Sequence, residues 1–272
     1  MKTIRQLLPL VLMLFALTCS AKGNSIETKT LNLASFDAIE AESVKVYVTI
    51  GPATGRVTVS GSHEALEALS VKVSKGKLKL SSLEKSNGGK NILRKFSRRR
   101  TVPEVRVTVP SLSKIDTEMS AAVYVDKAFE CTGFNVSCET SSLVNLAGVK
   151  ASGNVKLECE TSSSLKIDKL SAAEIKAEVE TSSSLTLDVL RAQSASLSAE
   201  TASSVKVAVI EAGKVKAESE TASSIKIGSG NVKNGSFYAE TASNINLRGV
   251  TVISGSANSD TGGKVSVSFG AR

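Results

Sequence analysis

The chain of 272 residues has no tryptophan and a single histidine, His63, and only 4% of its residues are aromatic. One histidine and four cysteines without metal-ligand spacing leave nothing from which to build a zinc hydrolase. Neither a Gly-x-Ser-x-Gly elbow nor a Gly-rich phosphate loop ending in Lys occurs, and Gly228-Ser229-Gly230 reads as a turn without that context. The scarcity of aromatic rings speaks against a stacking platform of the kind that single-stranded nucleic acid needs. A catalytic thiol would want a histidine beside it, and His63 lies in GSHEALEAL, which reads as a short surface turn or helix. No cofactor is expected.

What the chain has in abundance is repetition. From Glu118 onward one phrase recurs about every 20 residues: EMSAAVYV at 118, ETSSLVNL at 139, ETSSSLKI at 160, ETSSSLTL at 180, ETASSVKV at 200, ETASSIKI at 220, ETASNINL at 240 and DTGGKVSV at 260. Helix-pair solenoids need about 33 to 47 residues per repeat, so each repeat is one coil of a β-solenoid. Counting from the acid, apolar residues fall at plus five and plus seven, as in Leu165 and Ile167 or Val205 and Val207, with a polar residue between them. A second strand precedes the acid, where Ile175, Ala177 and Val179 alternate with Lys176, Glu178 and Glu180. Alternation of this kind gives each strand one apolar and one polar face. The fold expected is all-β: a right-handed, single-stranded parallel β-helix with about 20 residues per coil.

Equivalent residues of successive coils stack about 4.8 Å apart. The acids at 139, 160, 180, 200, 220, 240 and 260 therefore form a like-charge column, and Lys156, Lys176 and Lys216, four residues earlier on the same face, are expected to soften it. The column reads as a solvated mixed-charge wall. The sharper alternative is a cation site built from Glu158 and Glu160 or from Glu178 and Glu180, but the Gly-Gly-x-Gly-x-Asp repeat of calcium-binding β-rolls is absent. Cys138 and Cys159 both precede the repeat acid at an inward position, so they are expected to stack in adjacent coils, as two small buried side chains or as a disulfide. Cys131 has no evident partner.

The N-terminus carries a basic start (Lys2, Arg5) and an apolar run, LLPLVLMLFAL, which together read as a secretory signal over residues 1–21. Two readings of its end stay open. Cleavage after Ala21 fits the small residues there, whereas Ala16-Leu17-Thr18-Cys19 is a poor lipoprotein box that would acylate Cys19 and supply the one route to a membrane. The chain is expected in the periplasm, on the outer-membrane surface or outside the cell. Loss of Lys2 and Arg5 takes the formal charge from +8 to about +6. Within residues 84–101, Lys90, Arg94, Lys95, Arg98, Arg99 and Arg100 follow Ser-Asn-Gly-Gly and read as an exposed loop, either merely solvated or in contact with an anionic polymer. Residues 22–117 form an N-terminal β region, with a polar lead-in to about residue 30 and less regular strands over 31–110 that are either first coils or a cap. Residues 118–272 are the regular coils, with Phe269 placed to plug the last one.

The N-terminal strands carry a family resemblance. Phe36-x-x-Ile39, the Val-x-Val strand in SVKVYVTI, Gly76-x-Leu78-x-Leu80, and Val109-Pro-Ser-Leu-x-x-Ile115 together resemble the head GIN domain family of auto-transporter adhesins, over most of the mature chain. That resemblance implies an exported protein of a kind common in Bacteroidetes, a right-handed parallel β-helix, and adhesion as its role. It carries over no binding residues. The expected function is thus a non-enzymatic envelope or surface protein that presents a β-helical face to glycans or other envelope polymers, with no nucleic-acid partner. A polysaccharide lyase or glycosidase, which would need two carboxylates facing one cleft, is the alternative from another class. A scaffold that stacks end to end through its terminal coils is the third. Nothing in the residues fixes an oligomeric state.

Overall fold

The computed structural model describes residues 25–82 and 102–270. The signal segment with Cys19, and the basic stretch that holds Lys90, Arg94, Lys95, Arg98, Arg99 and Arg100, lie outside the described residues. The chain forms a β-solenoid of about eight turns with about 20 residues per coil. In order the elements are β1 (Ile26–Asn32), β2 (Ala38–Glu42), β3 (Lys45–Ile50), β4 (Arg56–Ser62), α1 (His63–Ala68), β5 (Ser70–Ser74), β6 (Lys77–Ser81) and β7 (Glu104–Val109). Then come β8 (Lys114–Glu118), β9 (Ala122–Val125), β10 (Phe129–Cys131), β11 (Phe134–Cys138), β12 (Leu143–Leu146), β13 (Val149–Ala151) and β14 (Asn154–Cys159). Long strands that bend around the coil complete the chain: β15 (Ser164–Val179), β16 (Ser184–Ala199), β17 (Ser204–Ser219), β18 (Ser224–Ala239), β19 (Asn244–Ser259) and β20 (Lys264–Phe269).

Each regular coil has three sides. In β15 the ladder to β16 runs over 164–167, 169–172 and 174–179 and is interrupted at 168 and 173, where the strand turns a corner. The third corner is the Glu-Thr-Ser-Ser turn. The sequence suggests two strands per coil, because the middle side is only four residues long, 169–172, and buries only Leu170 and Ala172. Elsewhere the inward positions are those the alternation marks: Leu165, Ile167, Ile175, Ala177 and Val179 are all sealed from solvent. Successive coils pair in parallel at an offset of 20 residues, as in Leu185 with Val205 and Ala195 with Val215. One continuous apolar core runs up the axis.

The N-terminal region is both coil and cap, and its rungs are out of chain order. Strand β2 lies between β6 and β8, and β3 between β7 and β9, all in parallel. The outermost rung is therefore β6 with β7, the second is β2 with β3, and the third is β8 with β9. Antiparallel strands seal the outermost rung: β5 pairs with β6, β4 with β7, and β1 with β4. The stretch that reads as a polar lead-in is thus partly strand, since β1 begins at Ile26; its exposed alternate residues give an edge strand its polar look. At Lys75-Gly76, both with positive φ (51° and 74°), the chain makes a two-residue hairpin between β5 and β6. Phe269 does not plug the last coil. It is 39% exposed, because β20 covers only part of β19.

Candidate functional site

The corner turn is the most regular surface feature. In the turns from Glu139 to Glu240, Thr and the residue after it have φ near 50° and 60°, as at Thr181 (48°) and Ser182 (62°) or Thr221 (45°) and Ala222 (59°). A β-branched residue there is strained, by about 1–2 kcal/mol relative to the right-handed region. Two sets of bonds hold it. The turn closes on itself, with Ser183 N–H donating to the Glu180 carbonyl at 3.2 Å, and neighbouring turns bond to each other, with Ser182 N–H donating to the Thr201 carbonyl at 3.0 Å. The last serine of each turn is buried: Ser203, Ser223 and Ser243 donate to the carbonyls of Val179, Ala199 and Ser219 at 2.7, 2.6 and 2.6 Å. What looks in sequence like a polar display is therefore half structural.

On the side before the corner the repeat acids form one outward column, with lysines, serines and further glutamates beside it. Glu42 joins the column of repeat acids through its pairing with Glu118. Glu118, Glu180 and Glu220 all titrate above the ordinary glutamate range, first because they are partly buried and then because other carboxylates surround them. The lysines do not soften this column as the spacing suggests. Lys176 and Lys216 reach Glu178 and Glu218, two residues on along their own strand, at 2.7 Å each, and Lys156 reaches Glu158 in the same way. Residues i and i+2 of a strand share a face, so the nearer acid captures the ammonium. Glu158 and Glu178, the inner members of the candidate cation pairs, are thereby neutralised. Among the described residues no group of three His, Cys, Asp or Glu could hold a metal ion.

A shallow depression of about 480 Å³ opens on this side, lined by Glu40, Lys114, Asp116, Glu118, Glu139 and Lys156 among others. Its charges are largely matched. Lys77 Nζ lies 3.1 Å from both Glu40 and Asp116, Lys79 lies 2.9 Å from Glu40, and Lys114 lies 3.0 Å from Asp116. Hydrogen bonds to Asp116 and Glu40 raise the Lys77 ammonium, against its partial burial. Burial alone would raise Glu40, but the bonds and charges of Lys79 and Lys77 outweigh it and leave the carboxyl lowered. The arrangement is a salt-bridged wall at the cap end.

The side after the corner is different, and its outward residues line up in a single column. From the cap end it runs Arg106, Tyr47, Tyr124, Asn145, Lys166, Thr186, Lys206, Lys226, Asn246 and Ser266, each the register partner of the next. The Tyr47 and Tyr124 rings stack with centroids 5.3 Å apart and planes 15° from parallel, and the Arg106 guanidinium sits 4.6 Å from the centre of the Tyr47 ring. Sequence reasoning missed this cluster because it counted aromatic residues over the whole chain. The matching frames Val46-Tyr47-Val48 and Val123-Tyr124-Val125 were the available signal.

Cys138 and Cys159 stack in register and are fully buried, and both are free thiols. A hydrogen bond with Cys138, and then burial, push the Cys159 thiol well above its ordinary value, so it is a packing residue and not a nucleophile. Cys131 is half-buried and also raised by burial. His63 begins the short helix α1 on the surface, within 3.1 Å of Glu27 and 3.2 Å of Glu67, remote in chain and element from the three cysteines.

A family model described as "Putative auto-transporter adhesin, head GIN domain" matches residues 35–212. Among solved structures, a "Putative lipid binding protein" from Parabacteroides distasonis ATCC 8503 superposes with a TM-score of 0.70 at 16% identity, over 90% of this chain and 96% of that one. A "putative adhesin" from the same organism gives 0.60 at 14% identity, over 87% and 93%. Another, from Bacteroides fragilis NCTC 9343, gives 0.50 at 16% identity, over 87% and 96%. At these identities the likeness is one of fold. No curated protein matches the chain.

Proposed function

This chain belongs to the head GIN domain family of putative auto-transporter adhesins, and from that premise we propose that it is an exported, non-enzymatic adhesin that presents a β-helical face to glycans or another envelope partner. The observation that carries the proposal is the outward column from Arg106 to Ser266, in which polar side chains recur at every rung without interruption. Contacts repeated at about 4.8 Å suit a partner that is itself repetitive, because linked weak contacts gain avidity without any one of them being strong. The matched charges of the acidic side support the non-enzymatic reading: Glu40, Asp116, Glu158, Glu178 and Glu218 are engaged by lysines, whereas acid–base cleavage of a glycosidic bond wants two carboxyls free to titrate apart. Export rests on the signal-like residues 1–21, and membrane attachment would come only through Cys19. Lys90, Arg94, Lys95, Arg98, Arg99 and Arg100 would add a second, electrostatic contact.

The test is a glycan and envelope-polymer array probed with residues 22–272, alongside a variant in which Arg94, Lys95, Arg98, Arg99 and Arg100 become Ser. Saturable binding to at least one polymer is expected, and loss of part of it in the variant assigns that part to the basic segment. Shortening of a bound polysaccharide over time would overturn the non-enzymatic reading.

A further inference from the structure

The two sides that meet at the Glu-Thr-Ser-Ser corner carry opposite chemistry. One holds the carboxylate column and its salt-bridged wall. The other holds the Arg106-to-Ser266 column, which contains no carboxylate at any rung. Resting on the adhesin reading, we infer that this second column is the docking strip for one linear acidic polysaccharide lying along the solenoid axis, with Arg106, Tyr47 and Tyr124 at one end of the contact and Lys206 and Lys226 toward the other.

Charge points to an anionic occupant. Lys206 and Lys226 face each other directly across adjacent rungs, both exposed, with Ser204, Ala208, Ser224 and Gly228 as the nearest residues on the same side of their own strands. Among the described residues neither has a carboxylate within ion-pair distance, unlike Lys166, which is held by Asp168 at 2.9 Å and Asp188 at 3.5 Å. Directly opposed like charges destabilise a sheet, and a bound anion between them would reverse that sign. At the cap end Arg106 has, among the described residues, one loose carboxylate contact, with Glu104 at 3.5 Å.

Geometry points to a polysaccharide over other polyanions. Both faces of the Tyr47 ring are occupied, one by Arg106 and the other by Tyr124, whose far side looks toward the Asn145 rung. A nucleobase, which binds by stacking on a free ring face, finds none at Tyr47. The half-exposed rings instead present edges and phenol hydroxyls, followed by the Asn145 amide, the Thr186 hydroxyl and the Asn246 amide. Each of these both donates and accepts, which is what a chain of sugar hydroxyls requires. The spacing fits as well: rungs recur at about 4.8 Å, close to the length of one sugar unit in an extended chain. Tyr124 and Lys206 are four rungs apart, about 19 Å, so the strip engages several units at once.

The chain lacks tryptophan and has three tyrosines, two of them in the strip, so intrinsic tyrosine emission reports occupancy directly. The probe is polygalacturonate, with a neutral glucan of similar length, duplex DNA and phosphatidylglycerol vesicles as comparisons, added to residues 22–272. Polygalacturonate is expected to change the emission, to bind more tightly than any comparison, and to weaken as salt rises. Lys206→Thr with Lys226→Asn, residue types already present at Thr186 and Asn246 in the same column, is expected to raise Kd about tenfold. Tyr47→Thr with Tyr124→Asn is a second variant with the same expectation, read by direct binding, and Tyr238→Phe is expected to leave both readouts unchanged. Circular dichroism melts confirm that each variant is folded. Undiminished polygalacturonate binding in both strip variants would overturn this assignment while leaving the adhesin reading intact. Tighter binding to DNA or vesicles would overturn the occupant, and failure of the unaltered protein to bind any polymer on the array would overturn the adhesin reading itself.

Discussion

Each glutamate of the corner column from Glu118 to Glu240 has another carboxylate in the coil above and below it. The raised carboxyls of Glu118, Glu180 and Glu220 follow from partial burial and from that column. A carboxyl raised on folding keeps its proton longer in the folded chain than in the unfolded one. Its contribution to stability is therefore full below the ordinary glutamate value of about 4.3 and is lost as pH rises through the folded value. Glu40 has the opposite sign: its lowered carboxyl stabilises above the ordinary value, and that contribution is lost as pH falls. Glu220→Gln removes one like-charge rung, so it is expected to raise stability at pH 7 by a few tenths of a kcal/mol to about 1 kcal/mol and to flatten the decline above about pH 4.3. Thermal melts from pH 4 to 8 check this, and a lower midpoint at pH 7 would count against it. The column was legible in sequence because its period is written there. Which acid each lysine would choose was not, since Lys176 has Glu178 and Glu180 both on its own face and only side-chain reach separates them.

At the scale of one strand, the core is set by an exchange of volume between two inward positions. On the side before the corner the pairs are Ile175 with Ala177, Ala195 with Leu197, Val215 with Ala217, and Gly235 with Phe237, and register stacks the first members in one column and the second in another. Across these four coils the larger residue changes column at each step, so bulk in one rung meets a smaller residue in the next, as close packing demands. Gly235 is the extreme case. A Cβ there would lie 2.4 Å from the Phe237 ring. Gly235→Ala is accordingly expected to cost about 1–3 kcal/mol, and Phe237→Ala about 3–5 kcal/mol through the cavity it leaves. Gly235→Ala combined with Phe237→Leu copies the Ala195–Leu197 pair two coils earlier and should cost clearly less than Gly235→Ala and Phe237→Leu measured separately and added. Denaturant melts of the singles and the double give the coupling, and simple additivity would refute the exchange.

At the scale of the whole molecule, coils are interchangeable only if that alternation is kept in phase. Deleting residues 200–219 joins strands that share register but sets Leu197 against Phe237 and Ala195 against Gly235, with crowding in one column and a void in the other. Deleting residues 180–219 removes two coils and sets Ala177 against Phe237 and Ile175 against Gly235, which restores the phase. The shorter protein is therefore expected to melt at the higher temperature of the two, although it buries less surface. Calorimetry of both decides, and a monotonic fall with length would sink the idea. The ends behave differently from the middle: β1, β4 and β5 cover one end, while Val265 and Val267 remain half-exposed on the last coil.

By itself the sequence determined the class of fold, the 20-residue period, the inward faces before and after the corner, the family, and the stacking of Cys138 on Cys159. Each follows from local alternation or from repeated residues, and a parallel ladder places repeated residues over one another. Only the tertiary structure decided the third side of the coil, where few buried residues mark a strand. It also decided the rung order at the cap, where Ala38 pairs with Lys114, and so brought Arg106, Tyr47 and Tyr124 into one stack. Those rungs share only the short Val-Tyr-Val frame and cross in chain order. Their neighbours are chosen by which apolar faces close the end of the core, a condition that no local stretch of residues contains.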